Sequence, residues 1–412
     1  MKDRWNFKLS APAIVACNIL ISVLAHLIIV MPFVPSMAIM VAAVVIILIM
    51  DRYGAVNEIF DSYIAHKKVA VVSGAVCLVV IPISLTSQNY AAQIACTAVV
   101  YMIACLGLNF QMGSTDMTNF APAAFMGLGA YGVGVAVKHF HVSPWVGVLI
   151  GVAAAVAFGF VIGLPTLKTK GYYLSLVTMA IQLAFTQIIY ITPFLGGQGG
   201  LTDLASSGGR FTLFGLSLYK RYTVAGIRFA PQIPYLIFCG VVLVLLTYVA
   251  MRVYFTKSGL SLNTIAQDEI AANCMGIHVS KQKLFAFVIG GVFCSIAGSL
   301  YAGLDAYVGP DTYNFSKSLM LICMVILGGM DNSIGIIVGT FLLTVISEKL
   351  RDVGDFQQLV YGAILVIMLI VRPNGIIPKR VRNYCAVTGR TIQKNVLKAA
   401  KAKAGKPAGD KG

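Results

Sequence analysis

Asn263-Thr-Ile-Ala-Gln-Asp-Glu-Ile-Ala-Ala-Asn-Cys-Met-Gly-Ile-His278 is a short polar stretch between two long apolar runs, and the rest of the chain is read outward from it. Of 412 residues, 58% are hydrophobic and only 11% charged, and mean hydropathy is +0.85. Soluble domains carry about 25% charged residues, so the expectation is an all-α, polytopic transmembrane bundle. In such a chain, Asp268 to Gly276 predicts a small amphipathic helix outside the bilayer. Ala271 and Ala272 are small enough for another surface to approach closely. Glu269 offers that surface a charge, and Gly276 suits the left-handed residue that ends a helix. The alternative is an ordinary interfacial helix.

Apolar runs of about 17 to 25 residues are long enough to cross a bilayer as helices. Candidates lie near 13–34, 36–50, 69–86, 90–107, 119–137, 144–163, 172–194, 233–254, 284–305, 316–329, 335–349 and 357–371. The shortest, 36–50, 316–329 and 335–349, fit re-entrant or protein-buried segments as well as spans. The count is therefore 10–12. With Met1 inside and twelve crossings, 23 of the 31 lysines and arginines fall in cytoplasmic segments and eight in external ones. That bias agrees with both termini being cytoplasmic and puts 257–282 on the same side. Residues 1–86 read as an N-terminal extension of two or three spans and 87–378 as the core, with an external loop at 196–232.

The basic segment 379–412 reads as a disordered cytoplasmic tail. From Arg372 to Gly412 there are eleven lysines and arginines against one acid, Asp410. Anionic lipid and the positive-inside rule account for this charge without nucleic acid. Nine cysteines are scattered, none as Cys-x-x-Cys, so neither a disulfide framework nor a metal site is expected. The basic N-terminus precedes an apolar run without a small-residue cleavage site and is read as an uncleaved first span.

Gly127-Leu-Gly-Ala-Tyr-Gly132 satisfies a dinucleotide-binding pattern, but no strand precedes it and no acid follows at the required distance. Small residues at this spacing instead let membrane helices approach closely. Gly147/Gly151, Gly159/Gly163 and Gly335/Gly339 repeat the device. Asn109-Phe-Gln111-Met-Gly-Ser-Thr-Asp116 reads as a polar break between spans. It is either a broken helix on a translocation path or a short turn with satisfied amides. Gln182, Gln187 and Tyr190 in the span 172–194, like Asn18 and His26 in the first, read as interhelical glue or as path-lining groups. Asn109, Gln111, Gln182 and Gln187 are the candidate path residues. His139 and His141 lack a nearby third ligand. Neither a Ser/His/Asp set, nor paired carboxylates at one depth, nor a P-loop is present, so no catalytic site is expected.

Several separate motifs, in order, carry a family resemblance. They include Gly107-Leu-Asn-Phe-Gln-Met-Gly, Ala121-Pro-Ala-Ala-Phe-Met-Gly-Leu-Gly-Ala-Tyr and Gly171-Tyr-Tyr-Leu-Ser-Leu-Val-Thr-Met-Ala. Asp268-Glu-Ile-Ala-Ala, Gly309-Pro-Asp-Thr-Tyr, Val325-Ile-Leu-Gly-Gly-Met and Arg372-Pro-Asn-Gly-Ile-Ile-Pro follow. The chain thereby resembles, from about Ala104 to Pro378, the longer M-type permease subunits of branched-chain amino acid ABC importers. The resemblance implies the ABC importer permease fold and a bacterial inner-membrane location. It also implies a complex with two ABC ATPase subunits, a shorter paralogous permease and a periplasmic solute-binding protein. ATP and magnesium would then sit on the ATPases, and this chain would bind no cofactor and catalyse no reaction. Carried over residue by residue, Asp268, Glu269, Ala271, Ala272 and Gly276 would dock an ATPase. Asp331-Asn332 stands where the family has a glycine and a small residue. An ion-coupled secondary transporter is the rival class, but no intramembrane acid–base pair supports one. A permease for urea or short amides is the rival within the class.

Overall fold

The computed structural model describes residues 11–52, 89–166, 172–202 and 230–350, with shorter pieces between 204 and 228 and between 359 and 377. The expected span 69–86, most of 357–371 and the tail 379–412 lie outside the described residues. The helices are α1 (Ala11–Val30), α2 (Phe33–Arg52), α3 (Asn89–Thr115), α4 (Pro122–Lys138), α5 (Pro144–Thr166) and α6 (Tyr172–Ile191). They continue as α7 (Ile233–Tyr254), α8 (Lys257–Gln267), α9 (Glu269–Cys274), α10 (Val279–Asp305), α11 (Phe315–Gly328) and α12 (Ser333–Lys349). Within 196–232 are two hairpins of two-residue strands, β1 (Thr212–Leu213) with β2 (Leu216–Ser217) and β3 (Thr223–Val224) with β4 (Ile227–Arg228).

Among the described residues, five helices are long and apolar enough to cross a membrane: Asn89–Thr115, Pro144–Leu164, Tyr173–Ile191, Ile233–Tyr254 and Val279–Asp305. The outer faces of α5, α6 and α7 expose Leu149, Val161, Leu176, Ile188, Val241 and Leu245. Such a belt suits hydrocarbon rather than water. By contrast α3 and α10 are largely buried inside the bundle. The expected span 90–107 ends too early: helix α3 runs on through Asn109 and Gln111 to Thr115. Its last turns stay helical because their polar side chains find partners within the protein.

Helix α4 packs between α5 and α10, and glycine makes its contacts possible. A Cβ on Gly129 would stand 1.9 Å from the Ser295 carbonyl oxygen of α10, and one on Gly298 would stand 1.9 Å from the Met126 carbonyl oxygen. On its other side α4 meets α5, where a Cβ on Gly132 would lie 2.6 Å from the Gly151 Cα. Without a hydrophobic force between helices in lipid, this close van der Waals contact holds the bundle. Ser299 Oγ adds a 3.0 Å hydrogen bond to the Gly129 carbonyl. Helices α11 and α12 cross in the same way, with a Cβ on Gly339 falling 2.4 Å from the Gly328 Cα. The Gly-x-x-x-Gly pairs at 147/151 and 335/339 are therefore spent inside this chain.

The amino-terminal pair α1–α2 joins the core beside α12. Lys349 Nζ donates to the Met31 carbonyl at 2.8 Å, just beyond the end of α1, where a cation complements the helix dipole. Nearby, the Tyr90 hydroxyl at the start of α3 reaches Glu348 at 3.2 Å.

Gly129→Leu or Gly298→Leu should destabilise the purified protein by about 1–3 kcal/mol or more, the cost of overpacking a tight core. Gly199→Ala is the control, since nothing lies within 4 Å of its added Cβ. A melting temperature unchanged by either leucine would contradict this packing.

Candidate functional site

The polar stretch folds as a compact hairpin of α8 and α9, closed at both ends by its own residues. Asp268 is extended (φ −157°, ψ 112°), and its Oδ1 accepts from the Ile270 and Ala271 N–H groups at 2.8 and 3.0 Å. It thereby meets two of the donors that a helix start leaves orphaned. At the other end Gly276 takes φ +81°. Its N–H bonds the Asn273 carbonyl at 3.0 Å, and the Ile277 N–H bonds Ala272 at 3.1 Å. These two bonds form the paired closure that a left-handed C′ residue permits. Six residues would not hold a helix alone; the caps and the packing beneath them do.

The hairpin has an inner and an outer face. Leu262, Ile265 and Ala272 are buried. Glu269 forms an ion pair with Lys283, the only salt bridge among the described residues. Outward stand Ile270, 79% exposed, and Met275, 77% exposed, with Ala271, Asn273 and Cys274 between them. Glu269, Ile270 and Asn273 also line an open hollow with His278, Val279, Ser280 and Lys281. Of the residues predicted to face a partner, then, Ala271 lies on the outer face and Glu269 on its edge. Ala272 packs inward, while Asp268 and Gly276 shape the helix. Sequence reasoning passed over Ile270 and Met275. The available signal was two large apolar side chains, five positions apart, in an otherwise polar stretch.

Beneath the hairpin is a buried polar node. Asn109 Nδ2 donates to the Tyr254 hydroxyl at 2.7 Å, and Asn109 Oδ1 accepts from the Asp331 N–H at 2.8 Å. Ser114 Oγ donates to Asp331 Oδ1 at 3.0 Å. Tyr254 ends α7 immediately before the hairpin, and its ring stacks on Phe110 with centroids 4.6 Å apart. Asp331 sits in the α11–α12 turn at φ +64°, a left-handed position that aspartate tolerates better than most residues. Gly113 is required there, since its Cβ would lie 2.4 Å from the Asp331 nitrogen. The same turn is clasped by Ile376, whose N–H bonds the Leu327 carbonyl at 2.9 Å. Three distant segments thus meet at one asparagine.

The other polar candidates serve a second buried junction. The chain breaks between α3 and α4, and the start of α4 is fully buried, so its orphaned N–H groups need partners. Gln182 Oε1 accepts from the Ala124 N–H at 2.7 Å, and its Nε2 donates to the Tyr313 carbonyl at 2.8 Å. Ser318 Oγ accepts from the Ala123 N–H at 3.1 Å, Asn119 Oδ1 from Ala121 at 2.9 Å and Thr178 Oγ1 from Phe120 at 3.0 Å. Gln111 Oε1 holds Asn119 Nδ2 at 2.7 Å, while its own Nε2 bonds the Phe287 carbonyl at 2.9 Å. Asn109, Gln111 and Gln182 are therefore buried and engaged with the protein in this structure, whereas Gln187 is exposed on α6. The structure does not bring these four into one cluster.

Residues 90–371 match the family described as the branched-chain amino acid transport system permease component. The high-affinity branched-chain amino acid transport system permease protein LivM of Escherichia coli is 30% identical over 302 residues, 69% of each chain. Its Salmonella typhimurium counterpart is 29% identical over 303 residues, again 69% of each. A probable LivH permease of Methanocaldococcus jannaschii is 25% identical over 303 residues, 68% of this chain and 90% of that one. No solved structure matches the chain. With a helical membrane bundle, an exposed capped hairpin and a match over most of its length, the chain belongs to the branched-chain amino acid transport permease family.

Proposed function

We propose that this multi-pass permease is one of two paralogous membrane subunits of an ATP-driven importer of branched-chain, hydrophobic amino acids in the bacterial inner membrane. One of two ABC ATPases engages the α8–α9 hairpin from the cytoplasm, the other engages the paralogous permease, and a periplasmic solute-binding protein delivers the amino acid. ATP and magnesium are handled by the ATPases, and this chain carries no cofactor and no catalytic group. The supporting observation is the hairpin itself. It is exposed, internally capped and tipped by two large apolar side chains, in a family of transport permeases. LivH-type relatives of the same family support a second, similar permease as partner.

Transport in this reading is alternating access. Closure of the ATPases moves the α8–α9 hairpin. The Glu269–Lys283 pair and buried Ala272 make it move with α10, and the Asn109 node passes the displacement to α3 and the α11–α12 turn. Asp268 and Gly276 keep the lever rigid. The positive-inside bias of the lysines and arginines supports a cytoplasmic hairpin and a cytoplasmic Met1.

The direct test of the solute is uptake of labelled leucine, isoleucine and valine in a strain lacking this gene. Restored uptake on complementation is expected; complementation that restores only urea or amide uptake would contradict it. For the docking face, Ile270→Asp with Met275→Asp should abolish co-purification of the ATPases while the chain still inserts. Undiminished co-purification would exclude this face.

Asn109→Leu should lower stability by about 1–3 kcal/mol, because a buried backbone donor loses its acceptor. In reconstituted complexes it should lower solute transported per ATP hydrolysed more than Tyr254→Phe does. Equal melting temperatures and equal coupling ratios in both variants would contradict a transmitting role.

A further inference from the structure

Away from the hairpin, at the start of α11, one cation is held in an unusual setting. Lys317 is half-buried, and its Nζ donates to the Tyr101 hydroxyl at 2.6 Å. It also lies 4.7 Å from the Tyr101 ring centre and 5.9 Å from that of Tyr301. No carboxylate among the described residues comes within 4 Å of it. It further occupies the first turn of α11, where the helix dipole opposes a cation and favours an anion. A lysine whose hydrogen bond goes to a phenol, with the Asp305 carboxylate reaching Tyr301 and Tyr313 only at longer range, keeps its capacity for a negative partner.

A second, independent observation lies beside it. The rings run on continuously: Tyr101 stacks with Tyr301 at 5.8 Å, Tyr301 meets Tyr313 at 6.5 Å, and Tyr313 meets Tyr131 at 6.3 Å. Tyr131 is 5% exposed and Tyr313 1%, yet neither hydroxyl has a hydrogen-bond partner among the described residues. Buried hydroxyls are normally satisfied, so these two retain hydrogen-bonding capacity for a polar partner. Many secondary transporters place interrupted helices at their substrate sites, with helix N-termini directed at anionic groups, and the same physics is open to any membrane bundle. Here α4 begins inside the protein, and Ser318 joins that start to the first turns of α11, which begins half-buried.

We propose that Lys317 and the hydroxyls of Tyr131 and Tyr313 form a carboxylate-recognition subsite for the transported amino acid, with Lys317 taking the α-carboxylate. The inference rests on the importer reading above and adds the recognition chemistry to it. Tyrosine hydroxyls donate to the same carboxylate or accept from the ammonium group, and the ring faces suit that cation. Lys317 shifts from Tyr101 to the solute as the solute arrives.

The test uses the complete complex in proteoliposomes with leucine-loaded binding protein, scoring initial leucine uptake and ATP hydrolysis together. Lys317→Gln should lower uptake about tenfold, the scale of one lost charge-assisted contact. Its ATPase stimulation by the loaded binding protein should persist. Lys317→Arg should keep at least about half of wild-type uptake, since the charge remains. Tyr131→Phe with Tyr313→Phe should lower uptake about threefold or more, on the scale of lost neutral hydrogen bonds. Wild-type uptake in Lys317→Gln would overturn the proposal. So would an arginine variant as defective as the glutamine one, or ATPase stimulation or assembly lost in step with uptake. Failure of the unaltered complex to take up leucine would sink the choice of solute instead. The variants are then compared on the carboxylate solute that the wild type carries.

Discussion

The constraint behind this architecture is that a helix interrupted inside an apolar bundle must find hydrogen-bond partners for its free backbone groups within the protein. Water is not there to supply them, and each unmet group would cost about 1–3 kcal/mol. The chain breaks between Thr115 and Pro122, and the N–H groups at the start of α4 are met by Asn119, Thr178, Gln182 and Ser318. These caps come from α6, α11 and the break itself, so satisfying one helix end ties three elements together. Glycine then lets α4 press against α5 and α10 at backbone distance. Polar satisfaction fixes where α4 begins, and glycine packing fixes how closely it is held.

The same economy governs the opposite junction. Asn109 uses its amide nitrogen on Tyr254 and its oxygen on Asp331, at the foot of the exposed hairpin. In the proposed mechanism the hairpin is a lever, and one that flexed would dissipate motion before it reached the bundle. This one is capped by Asp268, closed by Gly276 and tied to α10 by the Glu269–Lys283 pair. In water an exposed ion pair contributes little. Here the Lys283 side chain is only 10% exposed, which makes the pair a better positional tether than a surface one.

What could be read from sequence followed from local chemistry. The hairpin stood out because charge and amides interrupted apolar runs, and Gly276 announced its left-handed end. The decoy glycine pattern at 127–132 read correctly as packing, because close approach depends only on the spacing of small residues. The facing of Ala271 and Ala272 was not legible, since adjacent residues look alike until α10 is placed beneath one of them. Nor was the length of α3: Asn109 and Gln111 resemble a break in one dimension and become interior residues only when Tyr254, Phe287 and Asp331 converge on them. Asp331 is similar. Its left-handed position is tolerable because aspartate accepts that conformation and accepts a bond from Ser114. Long-range pairing decides each of these, and no local pattern encodes it.

The central claim is that force enters through the outer face of the α9 hairpin from the cytoplasmic side, and Cys274 is a native reporter on that face. A variant retaining only this cysteine, in oriented vesicles, can be labelled with a membrane-impermeant maleimide with and without the ATPases bound. Labelling confined to inside-out vesicles and suppressed by bound ATPase is the predicted result. Labelling from the outer face, or labelling indifferent to the ATPase, would contradict the account.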